Sequence, residues 1–245
     1  MTDDGELLSI KCQTAFVMTE SGRIERQNDP DRSPAPRLSL AGCRRGNWAG
    51  LRSDVTDSVA SGITALVAIE PPFITQDGPP RHIDRYVELL SQDSPVTTQS
   101  LGVIYHLPNH LEYRHGVSLI DSDTDEGKRL YASLSAEGLP AGLLDLGFRD
   151  VSEFWGPWCV ALHDGQVASV AFAARLSETG ADVGVATVRA HRGRGYAAAA
   201  TAGWARMPSL RSRALFYSTD QTNASSQRVI ARLRLRFLGA SLGLT

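Results

Sequence analysis

Apolar and polar positions are patterned most clearly between residues 117 and 245. Trp158 to Leu162 and Gln166 to Leu176 run apolar or alternating on either side of His163-Asp164-Gly165, which predicts two antiparallel strands joined by a tight turn. Gly180 sets off a third strand, Asp182 to Val188. Upstream, Val117 to Asp121 predicts a strand. It is followed by a helix from Asp125 to Glu137, with Leu130, Tyr131 and Leu134 on one face and Gly138 as its stop, and by a second helical stretch near Ala141 to Phe148. Downstream come an alanine-rich helix, Ala197 to Ala205, and a short buried strand, Ala214 to Thr219. A helix from Ala224 to Leu233 then carries Asn223 at its N-cap and Val229, Ile230 and Leu233 at helical spacing, and Phe237 to Leu244 forms a last strand.

The first half is less legible. Thr19-Glu20-Ser21-Gly22 suggests a hairpin turn, and Asp29 to Pro36 reads as a loop. Pro71-Pro72 and Pro79-Pro80 punctuate the rest, and His82 to Leu90 predicts a helix. These features give an N-terminal accessory domain, 1–115, and a second domain, 116–245, with the boundary between Pro108 and Gly116. No internal repeat is evident.

Composition narrows the class. The 245 residues are 42% hydrophobic with a net charge of −2, enough apolar content for an ordinary core. No run reaches the roughly 18 apolar residues of a membrane span, and Met1 to Ile10 holds consecutive acids and no apolar stretch of signal length. A cytoplasmic location with no membrane partner is expected. Cys12, Cys43 and Cys159 are odd in number and lack Cys-x-x-Cys spacing, so neither a disulfide framework nor a metal site is indicated, and Cys159 reads as a small core residue.

Charge is unevenly spread. From 189 to 236 the chain carries Arg at 189, 192, 194, 206, 211, 213, 228, 232, 234 and 236 against one acid, Asp220, which suits a polyanionic ligand. Nucleic acid fits poorly, because these positions are scattered over several elements without interleaved aromatics or a recognisable binding module. Arg206, Arg211 and Arg213 read as solvated. The focus of the basic region is Arg192-Gly193-Arg194-Gly195-Tyr196-Ala197, between a strand and a helix. Two glycines let the backbone turn and approach a ligand closely, and the unpaired N–H groups opening a helix favour an anion. The bland alternative is a plain strand-to-helix turn. Gly193-x-Gly195-x-x-Ala198 with Asp220 further on also fits a relaxed dinucleotide-binding fingerprint, but only 25 residues follow Asp220, too few for the remaining strand-helix units of that fold.

The order strand, Arg-x-x-Gly-x-Ala loop, helix, strand, Asn-x-x-Ser helix, strand resembles the GNAT superfamily of acetyl-coenzyme A-dependent N-acetyltransferases, over roughly residues 117 to 245. Arg192, Gly195 and Ala197 match its core signature, and Asn223 with Ser226 matches its following helix. The resemblance implies an α+β fold with a mixed, largely antiparallel central sheet flanked by helices, acetyl-coenzyme A as cofactor and a small-molecule amine, an antibiotic or a metabolite, as acceptor. It implies cofactor binding by Thr187, Val188, Arg189, Arg192, Gly193, Arg194, Gly195, Tyr196, Ala197, Asn223 and Ser226. The pantetheine arm would pair like an added strand near Thr187 and Arg189, with the N–H of about Val188 polarising the thioester carbonyl.

Two positions depart from the family pattern. Ile230 stands seven residues after Asn223, where many members carry the Tyr that protonates the leaving thiolate, and Arg234 stands where a Gly usually ends that helix. Tyr217 and Ser226 are therefore the candidate acids, Tyr217 preferred because a phenol matches a thiolate better in pKa. Asp182, where some members carry a proton-accepting Glu, is the candidate base. Each has a plainer reading, Asp182 as a solvated strand-start carboxylate and Tyr217 as a core aromatic. Tyr196 is expected to pack rather than touch phosphate, and His191 to lie near the cofactor without catalysing. Glu153, Trp155 and Trp158 border the expected acceptor cleft or serve as core anchors. The missing Tyr keeps open a second class, a catalytically lapsed acyl-coenzyme A-binding sensor, and the sequence leaves monomer and homodimer open.

Overall fold

The computed structural model describes residues 3–113 and 116–245. Its first half forms α1 (Asp4–Ala15), β1 (Phe16–Met18), β2 (Ile24–Gln27), β3 (Leu38–Cys43), β4 (Gly46–Leu51), α2 (Asp57–Ile69), α3 (Ile83–Leu90) and β5 (Gln99–Leu107). The second half continues with β6 (Leu119–Asp121), α4 (Asp125–Glu137), α5 (Ala141–Leu144), β7 (Trp158–His163), β8 (Gln166–Leu176), β9 (Gly180–Thr187), α6 (Tyr196–Ala205), β10 (Ala214–Asp220), α7 (Ala224–Leu233) and β11 (Arg236–Leu244).

Two compact units result. One comprises Met1–His106, Ser218–Asn223 and Arg236–Thr245; the other comprises Leu107–Tyr217 and Ala224–Leu235. This differs from the contiguous halves 1–115 and 116–245 read from the sequence. The reason is β11, which pairs antiparallel with β3 from Gly239↔Cys43 to Leu244↔Leu38 and with β5 from Arg236↔His106 to Leu244↔Gln99, so the chain's last strand is built into the first unit. Residues 114–115, within the expected boundary, lie outside the described residues.

In the first unit β4, β3, β11 and β5 lie side by side, all antiparallel. Leu38, Leu40, Ala240, Leu242 and Leu244 line a core closed by Val59 and Ile63 of α2, Phe73, and Tyr86 and Leu90 of α3. Just after α2, the buried Glu70 receives the N–H groups of Arg81 and His82 at 2.8 and 3.2 Å, His82 Nδ1 at 2.8 Å and the Tyr86 hydroxyl at 3.3 Å. A carboxylate can only accept, so His82 Nδ1 carries its proton, and Glu70 satisfies the donors that open α3. Burial first, and then Glu70, push the Tyr86 phenol above its usual pKa.

The second unit is a mixed sheet in the order β6, β7, β8, β9, β10. Its first three pairings are antiparallel, while β9 and β10 are parallel and joined through α6. The β7–β8 turn holds Asp164 and Gly165 at φ 49° and 78°, the left-handed pair a two-residue hairpin needs. Side chains alternate across this sheet. Ile120, Val160 and Val170 meet Leu134 of α4, Leu143 of α5, Val151 and Phe154 on one face. On the other face, Leu119 and Cys159 stand against Gly203 of α6, where an added Cβ would lie 2.6 Å from the Cys159 sulfur. The fold class is therefore the expected one, an α+β arrangement with a mixed, largely antiparallel sheet flanked by helices. The antiparallel run β7, β8, β9 rules out the doubly wound parallel sheet of a dinucleotide-binding domain.

Candidate active site

Strands β9 and β10 separate after three paired positions. They are in register at Ala214↔Gly180, Leu215↔Ala181 and Phe216↔Asp182, and no described residue continues the pairing. On its other side β9 stays bonded to β8 as far as Ser169↔Thr187. Exposure follows the separation: Gly180 to Val183 are buried, and Gly184 to Thr187 are half-buried. Val188 donates its N–H to the Ala168 carbonyl, 3.0 Å away, toward β8. By the alternation of a strand, Ala186 and Gly184 face β8 too, and Thr187 and Val185 direct their amides to the edge that β10 has left, whereas Val183, next to the last paired position, still meets β10.

This geometry corrects one expectation. The Val188 N–H is already committed to Ala168, so it is not the group that polarises a bound carbonyl. Thr187 does lie on the open edge, its carbonyl taking a 3.2 Å hydrogen bond from Arg192 Nε.

A short 3₁₀ turn, Arg189–His191, leads from β9 to the loop. Gly193 has φ 79° and Gly195 φ 94°, a left-handed conformation that glycine takes at little cost. Gly195 is the N-cap of α6, no side chain caps the helix there, and its first turn contains no acid. The first internal bond runs from Ala199 N–H to Gly195 O, 3.0 Å, so the amides of the opening turn have no acceptor within the helix. Arg189, Arg192 and Arg194 are exposed around it. Arg232 of α7 donates to the Gly193 carbonyl at 3.0 Å and braces the loop. Nothing local in the chain signals that brace, because Arg232 reads equally well as a helix-end cation.

Tyr196 packs, as expected: it is 6% exposed, and its hydroxyl lies 2.8 Å from His163 Nδ1. His191 stacks edgewise on both, with ring centroids 4.8 Å from His163 and 5.7 Å from Tyr196. Burial first, then His163 and Arg194, hold the His191 imidazole below its usual pKa, with Asp164 opposing. This cluster anchors both ends of the glycine loop and was not foreseen from sequence.

The three candidate catalytic residues gather where β9 and β10 diverge. Asp182 is 7% exposed, at the last paired position, with Arg175 opposite it on β8. It is therefore not a solvated strand-start carboxylate. Tyr217 follows Phe216, is buried, and shares a hydrogen bond with Ser226 of α7. Desolvation is the larger effect on its phenol and Asp182 adds to it, so the pKa is raised although Ser226 pulls it down. Because Phe216 and Asp182 share a face, Tyr217 belongs to the opposite one, and the carboxylate and the phenol flank the divergence from the two sides of the sheet. Asn223 immediately precedes α7, its N–H bonded to Asp220 O at 3.2 Å. Asp220, the acid of the dinucleotide alternative, accepts the Thr222 N–H at 2.7 Å in a local turn. Ile230 is core, and Arg234 itself adopts the left-handed cap at φ 51°, with Leu235 N–H bonded to Ile230 O at 3.1 Å. Arg213 is not solvated as read: it ties the carbonyls of Ser177 and Ser209.

The cysteines are buried, and burial pushes the Cys159 thiol up to about 12, which removes it as a nucleophile. Among the described residues no group of His, Cys, Asp and Glu is arranged to hold a metal ion, and no helix is long and apolar enough to cross a membrane.

No protein-family model matches this chain, and no curated protein does. Solved structures similar to it include an acetyltransferase from the GNAT family of Colwellia psychrerythraea, 14% identical, with a TM-score of 0.44 over 80% of this chain and 75% of that one. A GCN5-related N-acetyltransferase from Kribbella flavida is 16% identical at a TM-score of 0.42, covering 64% of this chain. The chain spans 62% of that protein, under two thirds of its length. A GCN5-related N-acetyltransferase-like protein from Streptococcus suis is 19% identical at a TM-score of 0.45, over 89% of this chain and 86% of that one. At such identities and scores, the chain's chemistry has to be argued from its own residues.

Proposed function

We propose that this protein is an N-acetyltransferase of the GNAT type, moving the acetyl group of acetyl-coenzyme A to a primary amine of a small molecule, an antibiotic or a metabolite. The observation that carries this reading is the open edge of β9, Gly184 to Thr187, running directly into a glycine loop and a helix start with no side-chain cap at Gly195. A carrier with a diphosphate at one end and an amide-bearing arm at the other fits that succession of donors. The exposed Arg189, Arg192 and Arg194 add charge complementarity to the diphosphate end.

When bound, acetyl-coenzyme A supplies a thioester open to a neutral amine. The chain's own contribution is then threefold. Thr187 offers the open-edge amide for the pantetheine arm, and Val185, the next outward amide toward Asp182, is the donor for the thioester carbonyl. Asp182 takes a proton from the amine, directly or through water. Tyr217, its phenol kept protonated above the ordinary pKa, gives a proton to the departing sulfur, with Ser226 as its hydrogen-bonded partner.

Calorimetry with coenzyme A and thiol release over an amine panel test the proposal. Saturable binding with turnover is expected, and Tyr217→Phe lowers kcat by about 100-fold or more while leaving coenzyme A affinity in place. Because burial raises this phenol's pKa, the wild-type alkaline limb should begin above the ordinary tyrosine value of about 10. No affinity for coenzyme A refutes the proposal. Binding without turnover on any amine favours the acyl-coenzyme A sensor instead.

A further inference from the structure

The face of the sheet carrying Asp182 also carries an aromatic wall. Along β9, Asp182, Gly184, Ala186 and Val188 point to one side, that of α4 and α5: Ala186 and Val188 pack on the core there, and a Cβ on Gly142 of α5 would lie 2.6 Å from Val188. Phe172 of β8 is the register partner of Gly184. A Cβ on Gly184 would lie 2.5 Å from the Phe172 ring, so that ring occupies the space above β9 where a side chain would otherwise stand. Gly184 immediately precedes the outward amide of Val185, beside the point where the proposed function delivers the acetyl group.

The wall extends from this ring. Trp155 meets Phe172 edge to face at 5.6 Å between centroids, and Phe148 backs it at 6.0 Å. Trp155 is fixed by its backbone, whose carbonyl accepts the Ala173 N–H at 3.0 Å. Phe148, Trp155 and Phe172 are half-buried, unlike Phe154 and Trp158, which the same cluster buries fully. Charged groups nearby are few. Asp182 lies two residues from Gly184 on the same face, Arg175 stands opposite Asp182, and Glu153 receives the Arg149 N–H at 2.7 Å.

We infer that the acceptor is a primary amine carried one or two carbons from an aromatic ring, the ring lying against Trp155 and Phe172 and the amine directed along β9 to Asp182. The inference rests on the reading that acetyl transfer takes place beside Gly184. Aromatic rings pack edge to face on one another, and their faces attract a cationic amine. A hydroxyl-rich or polycationic acceptor would need polar partners that this wall lacks.

Binding is tested on the coenzyme-free protein, so the result does not depend on acetyl transfer. Calorimetry compares 2-phenylethylamine with 1-aminohexane and spermidine. The expected result is an affinity for phenylethylamine about tenfold above that for aminohexane, the size one good aromatic contact supplies. Trp155→Ala brings the ratio of the two affinities near unity, and Trp155→Phe restores it. A merely structural tryptophan would shift both amines together and leave the ratio intact. Equal binding, tighter binding of spermidine, no binding of phenylethylamine, or a ratio unmoved by Trp155→Ala overturns the inference. Absence of coenzyme A affinity would instead remove the proposed function and leave this result standing.

Discussion

Two helix starts differ in what stands against them. At α3 a buried carboxylate, Glu70, receives the N–H groups of Arg81 and of the N-cap His82, the His82 ring and the Tyr86 hydroxyl, so negative charge already occupies the approach to the helix. At α6 the N-cap is Gly195, no side chain caps it, no acid occupies the first turn, and exposed arginines surround it. A carboxylate at a helix start stabilises the fold, whereas amides without an intrahelical acceptor in a positive field suit recognition of an anion. The contrast explains why acidic side chains, which serve α1 through Asp3, are absent from the start of α6.

The largest effect should come from removing that carboxylate. Glu70→Ala strands the buried Tyr86 hydroxyl and the part-buried N–H groups of Arg81 and His82, and is expected to lower unfolding stability by about 2 kcal/mol or more in urea titrations, since an unmet buried partner costs about 1–3 kcal/mol. A loss under 1 kcal/mol would show that water replaces the carboxylate freely. Next comes the open end. Gly193→Ala meets no atom within 4 Å of the new methyl apart from its own neighbours, so the substitution acts through the backbone at φ 79°, where a side chain costs roughly 1–2 kcal/mol. Coenzyme A affinity should fall about tenfold, and unchanged affinity would detach the loop from the cofactor. The smallest effect is expected at the other end of α7, where Arg234 holds a left-handed cap without being glycine. Arg234→Gly should raise stability by about 0.5–1 kcal/mol, and a loss would reveal a contact of the arginine that outweighs its strain.

Legibility differed sharply along the chain. From β6 to α7 the elements other than α5 follow the sequence reading to within a residue or two, because Gln166–Leu176 and Ala224–Leu233 are single apolar or periodic runs and Gly138, Asp164-Gly165 and Asn223 mark element ends. The stretch Ala141–Phe148 yielded only Ala141–Leu144 as helix. Upstream, the hairpin at Thr19–Gly22 and the helix before Leu90 appeared as expected, but α1, α2, β3, β4 and β5 had not been assigned. Helix α2 is apolar nearly all round, so no face stands out, and β3 is buried along its whole length, so no alternation betrays it. The domain limits were misread for a related reason: nothing local in Arg236–Leu244 announces that its partners are 38–43 and 99–106.

The site was legible where a residue type is demanded and illegible where a contact decides. Gly193 and Gly195 take the positive φ that their identity suggested, and Tyr217 is bonded to Ser226 on the face of the sheet opposite Asp182, next to the last paired position. Val188 failed because strand alternation, once fixed by its bond to Ala168, turns its amide to the wrong side. His163 and Arg232 were missed because both act on the loop from distant parts of the chain.

A strand that loses its neighbour partway is ordinarily a hazard, since bare main-chain groups invite another protein to attach. Here the bare stretch is Gly184 to Thr187, about 10 Å of extended chain at the usual rise of a strand. Two residues in it turn outward, Val185 and Thr187. That is room for a ligand with a pair of amide bonds and too little for a stable intermolecular ladder, so brevity alone keeps this opening selective for small guests.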